Sequence, residues 1–200
     1  MRVLLSLCVA CLLLALAPQA ARAQKQTASR EEAVHAQLQE LLAGVGVIVA
    51  RETLPAAPSR SYREITVAWE ADKAAAPAMD DAALEQRRPG RFSRASAPRA
   101  RVGSLSRQRS LELSPEQLLV VAVDGAGRMK WWSLVPDPRV IRAEAPGPDG
   151  VLAGQTLLRE SAELLLAFPD DESVTELRLY HPRPEGGRFT LEPVAAIAAR

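Results

Sequence analysis

The chain has 200 residues, 25 of them basic and 24 acidic, and only 4% are aromatic. A balance this close to neutral points to no particular charged partner, and so few aromatic residues give little support to a sugar-stacking cleft. The two cysteines, Cys8 and Cys11, sit in a leading segment that reads as removable, which leaves no thiol nucleophile, disulfide scaffold or cysteine-ligated zinc in the rest.

That leading segment starts Met1-Arg2, continues as an apolar run and ends on the small-x-small triplet Ala21-Arg22-Ala23. This is the pattern of a cleavable secretory signal peptide. The apolar run is shorter than the roughly twenty residues that span a bilayer, so an uncleaved anchor fits less well. Cleavage after Ala23 makes Gln24 the first residue and leaves enough chain for one domain held together by burial. Asparagine is absent, and Lys25, Lys73 and Lys130 are the only lysines among many arginines. That bias reads as a GC-rich bacterial genome, so the expected location is the periplasm or the outside of the cell. The organisation expected is a signal peptide over 1–23, a helix and first strands over 24–70, an Arg/Ala/Pro/Ser-rich flexible loop or linker over 71–113, and a β-rich remainder of the same domain over 114–200.

Residues 30–43 repeat apolar side chains in helical spacing, with Val34, Leu38, Leu41 and Leu42 on one face. Ser29 supplies a cap, Glu31 and Glu32 suit the first turn, and Gly44 is a natural stop. His35 borders the apolar face and reads as a solvated helix residue. Residues 47–49 read as a short strand. Residues 62–70 alternate, with Ile65, Val67 and Trp69 on one side, as a half-buried strand does.

The pattern then breaks. Residues 78–88 have the spacing of a short helix. Arg87, Arg88, Arg91, Arg94, Arg99, Arg101, Arg107 and Arg109 follow one another with no acidic residue among them. Such a stretch buries too little apolar surface to offset the entropy of ordering it, so a solvated loop is expected. The second reading is contact with an anionic membrane surface or an acidic partner. Nucleic acid is not expected, because only Phe92 offers a stacking aromatic and the protein is exported.

Residues 117–144 are the organising stretch: the apolar run 118–123, the turn Asp124-Gly125-Ala126-Gly127, and a second run with Trp131 and Trp132. Adjacent strand residues face opposite ways. A turn centred between Gly125 and Ala126 pairs Val120 with Trp131 and Val121 with Lys130, and sets Leu119 opposite Trp132. Trp131 then shares the core face with Met129, Ser133 and Val135. Trp132 lies on a mixed face with Arg128 and Lys130, which either sits under the N-terminal helix or is the candidate binding surface. Further on, 147–150 is a turn, a short strand is expected around 155–158, and 162–168 reads as a strand covered on both faces. Residues 174–181 place Leu177 and Leu179 inward and Arg178 and Tyr180 outward; 182–187 is a turn; 188–192 alternates again, with Phe189 and Leu191 inward.

Short strands at this spacing imply a mainly β fold, an immunoglobulin-like antiparallel β-sandwich with one N-terminal helix and a long Arg-rich loop. No catalytic set stands out. His35 and His181 are the only histidines, no Gly-x-Ser-x-Gly elbow exists, and Gly125-x-Gly127 is explained as a hairpin connection. The acidic turn Asp170-Asp171-Glu172 reads as solvated rather than as a calcium site, and no cofactor or metal is expected. The favoured function is an exported non-catalytic domain that binds a protein or cell-envelope component, as an accessory to a secreted assembly. Trp132, Arg128 and Lys130 are its candidate binding residues. The rival is a secreted hydrolase using carboxylates and His181.

Overall fold

The computed structural model describes residues 32–50, 60–72, 90–105, 108, 110–146 and 152–200. The expected signal peptide, the Ser29 cap, the helix over 78–88 and the turn at 147–150 lie outside the described residues. A helix, α1, covers residues 32–43 and stops before Gly44, as its spacing predicts. Among the described residues ten strands follow: β1 (Ser61–Ala71), β2 (Gly90–Arg94), β3 (Arg99–Val102), β4 (Gln117–Asp124), β5 (Met129–Pro136), β6 (Val140–Pro146), β7 (Leu152–Leu158), β8 (Ser161–Pro169), β9 (Val174–Glu185) and β10 (Arg188–Ala198). The protein is mainly β, and every strand pairing is antiparallel.

The strands form two sheets and a ribbon. In the first sheet β1 is central, with β8 along one side and β2 and β3 sharing the other. The second runs β10-β9-β4-β5, and among the described residues β6 pairs only with β7. Alternation on β1 turns Ile65, Val67 and Trp69 inward, and their cross-strand partners Leu166 and Phe92 follow. These meet Leu118, Val120, Ala122, Leu177 and Leu179 of the second sheet in one core. Leu119, Val121 and Val123 point the other way, into a second core closed by Leu38 and Leu42 of α1. The central strand β4 is therefore covered on both faces, and no residue over 118–123 is more than 1% exposed.

Several expectations change. Residues 162–168 look two-sided in sequence, yet β8 buries Ala162, Leu166 and Phe168 and leaves Leu165 60% exposed. An apolar run does not by itself say how many faces are covered. Tyr180, expected outward, is buried in the second core, where burial raises its phenol above the ordinary value more than the Arg178 contact lowers it. His35 is buried as well. The strand expected at 47–49 reduces to one parallel bridge between Ile48 and Arg128. β9 runs through Pro182 and Pro184, and the chain reverses at Gly186-Gly187.

The segment over 71–113 contains β2 and β3, so that part of it is sheet rather than loop. Phe92 is its anchor: it lies opposite Trp69 and is buried, while Arg91 and Arg94 stay exposed. Gly90 allows the close approach, because a Cβ there would sit 2.5 Å from the Glu70 carbonyl oxygen and 2.9 Å from the Trp69 ring.

The register of the central hairpin also differs. Ala122 faces Trp131, Val121 faces Trp132, and Val123 faces Met129, with a bulge that leaves Lys130 unpaired. The cause is the turn. Asp124 accepts from the backbone N–H groups of Ala126 and Arg128, and Gly127 adopts a φ of 75° that side-chain-bearing residues resist. Trp131 and Val135 pack on the inter-sheet core, whereas Met129, Trp132 and Leu134 pack with α1. The two tryptophans face opposite ways as expected, but Met129 changes sides.

Candidate functional site

The carboxylate of Asp124 organises the end of the domain that holds two of the expected binding residues. Its Oδ2 accepts from Arg128 Nε at 2.8 Å and lies 3.6 Å from Lys130 Nζ. Ile48 docks on the same turn, donating to the Gly127 carbonyl and accepting from Met129. Arg128 and Lys130 thus converge on one anion, while Trp132 packs under the helix. All three residues have contacts inside the domain.

Burial alone would raise the Asp124 carboxyl. The backbone and side-chain hydrogen bonds from Arg128, the Ala126 N–H and the Arg128 charge outweigh it and hold the group at about 2, against a usual 3.8. A carboxyl depressed on folding stabilises the protein above its unfolded pKa, and that contribution disappears as pH falls through the folded value. Unfolding stability should therefore drop between pH 3.8 and pH 2 by more in the native chain than in Asp124→Asn. Denaturant titrations at pH 5 and pH 2 check this; equal drops in both proteins would contradict the assignment.

The histidines are placed apart from that turn. His181 is buried on β9 and its Nε2 donates to the Pro115 carbonyl at 2.8 Å. Its Nδ1 lies 4.0 Å from Glu192, a carboxylate that also pairs with Arg183. His35 is on α1, and among the described residues no hydrogen-bond partner reaches its buried Nε2. In the acidic turn, Asp170 accepts from Arg63 Nε and Asp171 caps the N–H of Ser173 at 2.8 Å. The Ser173 hydrogen bonds hold the Asp171 carboxyl below its ordinary range. Among the described residues no group of three or more His, Cys, Asp or Glu is arranged to hold a metal ion.

Of the arginine run, Arg91, Arg94, Arg99 and Arg101 lie on β2 and β3 and are exposed. Arg101 pairs with Glu64 at 2.8 Å, and Arg94 donates to the Arg200 carbonyl. Strand register sets Arg91 beside Glu70 and Arg99 beside Glu64, so charges of both signs alternate there. Arg87, Arg88, Arg107 and Arg109 lie outside the described residues.

One constellation was not visible in the sequence. After β5 the chain bends at Asp137, whose N–H donates to the Glu116 carbonyl. The Asp137 carboxylate takes both Arg139 Nε and Nη2 at 2.8 Å, a bidentate pair that is buried. The Arg139 guanidinium carbon lies 5.3 Å from the Phe92 ring centroid and 5.9 Å from that of Trp69, close enough for attraction to both π-faces. Asp137 and Arg139 are neighbours in the chain, but the aromatics come from strands far away in sequence.

From this anchor the β6–β7 ribbon departs. Glu116 pairs with Arg142, and the Arg159 N–H donates to the Arg139 carbonyl, so both legs are tied at the base. Ile141 and Leu157 lie opposite each other on one ribbon face, with Leu157 48% exposed. β10 approaches β2 without pairing, and β5 and β8, the strands before and after the ribbon in the chain, are also edges of the two sheets. No protein-family model, curated protein or solved structure matches the chain.

Proposed function

We propose that the chain is an exported, non-catalytic domain that binds a protein or cell-envelope component and presents the β6–β7 ribbon to it. The observation that carries the reading is that this ribbon belongs to neither sheet. A two-stranded ribbon is marginal in water by itself, and its Ile141–Leu157 face, tied rigidly at the Asp137–Arg139 anchor, is suited to burial against a partner. The two sheets enclosing one core support a sandwich, and the immunoglobulin-like type is our reading of it. Export rests on the signal-peptide pattern of residues 1–23 and on periplasmic or extracellular delivery of a chain starting at Gln24.

Affinity capture from the envelope fraction tests both parts. The exported protein, with Gln24 at its N-terminus by mass spectrometry, is expected to retain a specific component that Leu157→Asp fails to retain. The variant should keep the native circular-dichroism spectrum, because that side chain is half in solvent. Equal capture by both proteins would refute the ribbon as the contact, and a product that keeps residues 1–23 would refute export by cleavage.

A further inference from the structure

Sheet edges expose unpaired backbone N–H and C=O groups, and proteins protect them with bulges, prolines, charges or short strands. Here three edges carry such protection. β5 is bulged at Lys130 and ends on Pro136. β10 breaks register beside Pro193. β2 and β3 are five and four residues long and carry arginines.

β8 is protected least: it has no bulge, and Glu163 is its one charged residue. Its nine residues pair with β1 in unbroken register, it has no Lys or Arg, and its proline is the last residue, Pro169. Among the described residues β1 is its only partner strand. Its solvent face presents Leu165, 60% exposed, where alternation in a one-sided strand calls for a polar residue.

We propose that β8 is a self-association edge, at which a second copy of this chain adds its own β8 antiparallel, joining the two first sheets across a two-fold axis. The strand is complementary to itself in one register. Centring the pair on Leu165 sets Leu165 against Leu165 of the second copy, Glu163 against its Ala167, and Ser161 against its Pro169. Leu164 then lies opposite Leu166 on the inner face. No like charges oppose each other, whereas centring on Glu163 would place two carboxylates side by side, which destabilises a cross-strand pair. A two-fold interface of this kind closes on itself, and the joined sheet ends on the short, arginine-bearing β2 and β3. The inference is independent of the ribbon, since β6 and β7 take no part in the pairing.

Register-specific cross-linking tests it. Directly opposed Cα atoms in antiparallel strands are about 4.5–5.5 Å apart, within the roughly 4.4–6.8 Å that a disulfide accepts. With Cys8 and Cys11 replaced by serine, Leu165→Cys should give a covalent dimer under mild oxidation. Ser161→Cys, on the same strand and face, should stay uncross-linked because its counterpart lies at the opposite end. By sedimentation the parent protein should be a dimer, and Leu165→Lys a monomer with unchanged circular dichroism. A monomeric parent protein, a Leu165→Lys dimer, or cross-linking of Ser161→Cys as readily as Leu165→Cys would overturn the proposal.

Discussion

Replacing Arg139 with methionine is expected to destabilise the protein by about 3–5 kcal/mol, the range for removing one partner of a buried ion pair. The Asp137 carboxylate is fully covered and takes two hydrogen bonds from the guanidinium. Without Arg139 it loses its bidentate cation and must hold its buried charge at greater cost or take up a proton. The same substitution withdraws the cation from the faces of Trp69 and Phe92, both core residues. The charge is the larger part. Adding Asp137→Asn to Arg139→Met should therefore recover much of the loss, because the amide oxygen can still accept from the Arg139-position N–H as the carboxylate does at 3.0 Å. Chemical denaturation of the single and double variants separates the two effects. A loss under about 1 kcal/mol, the scale of an exposed pair, would mean that water reaches this bend.

The Arg139 site shows what a sequence leaves out. Pro136-Asp137-Pro138 announces a bend, but nothing local says that Trp69 and Phe92 arrive from the other sheet to receive the guanidinium. Local periodicity served better: the stripe Val34, Leu38, Leu41 and Leu42 turned toward a core, and Ile65, Val67 and Trp69 did the same on β1. Arginine-rich composition was misleading over β2 and β3, where a single buried Phe92 and a closely packed Gly90 secure strands whose other side chains stay in solvent. Hairpin register failed by two residues at Trp131 and Trp132 and by one at Met129, because the Asp124 carboxylate and the Gly127 backbone build a bulged turn whose extra residue sends Met129 to the opposite face. Of the expected binding residues, Arg128 and Lys130 meet at Asp124 whereas Trp132 packs with α1. Their engagement by Asp124 and by α1 depends on tertiary packing. Apolar runs were legible as buried but not as one-sided or two-sided: β8, read as covered on both faces, leaves Leu165 in solvent.

Two-sided burial of β4 is what joins the sheets, the helix and the hairpin into one domain, and neighbouring leucines on that strand report on it separately. Leu118 lies between the sheets and Leu119 lies under α1. Both are fully buried. Truncating a buried leucine removes its transfer energy and leaves a cavity, at a cost of about 2–5 kcal/mol. A strand with one wet face would instead show a large loss at one position and a change within about 0.5 kcal/mol at its neighbour. The decisive measurement is denaturant unfolding of Leu118→Ala and Leu119→Ala side by side with the parent protein. Losses of about 2–5 kcal/mol at both positions are expected, whereas a near-neutral Leu119→Ala would mean that α1 does not cover the sheet and would contradict the three-layer arrangement.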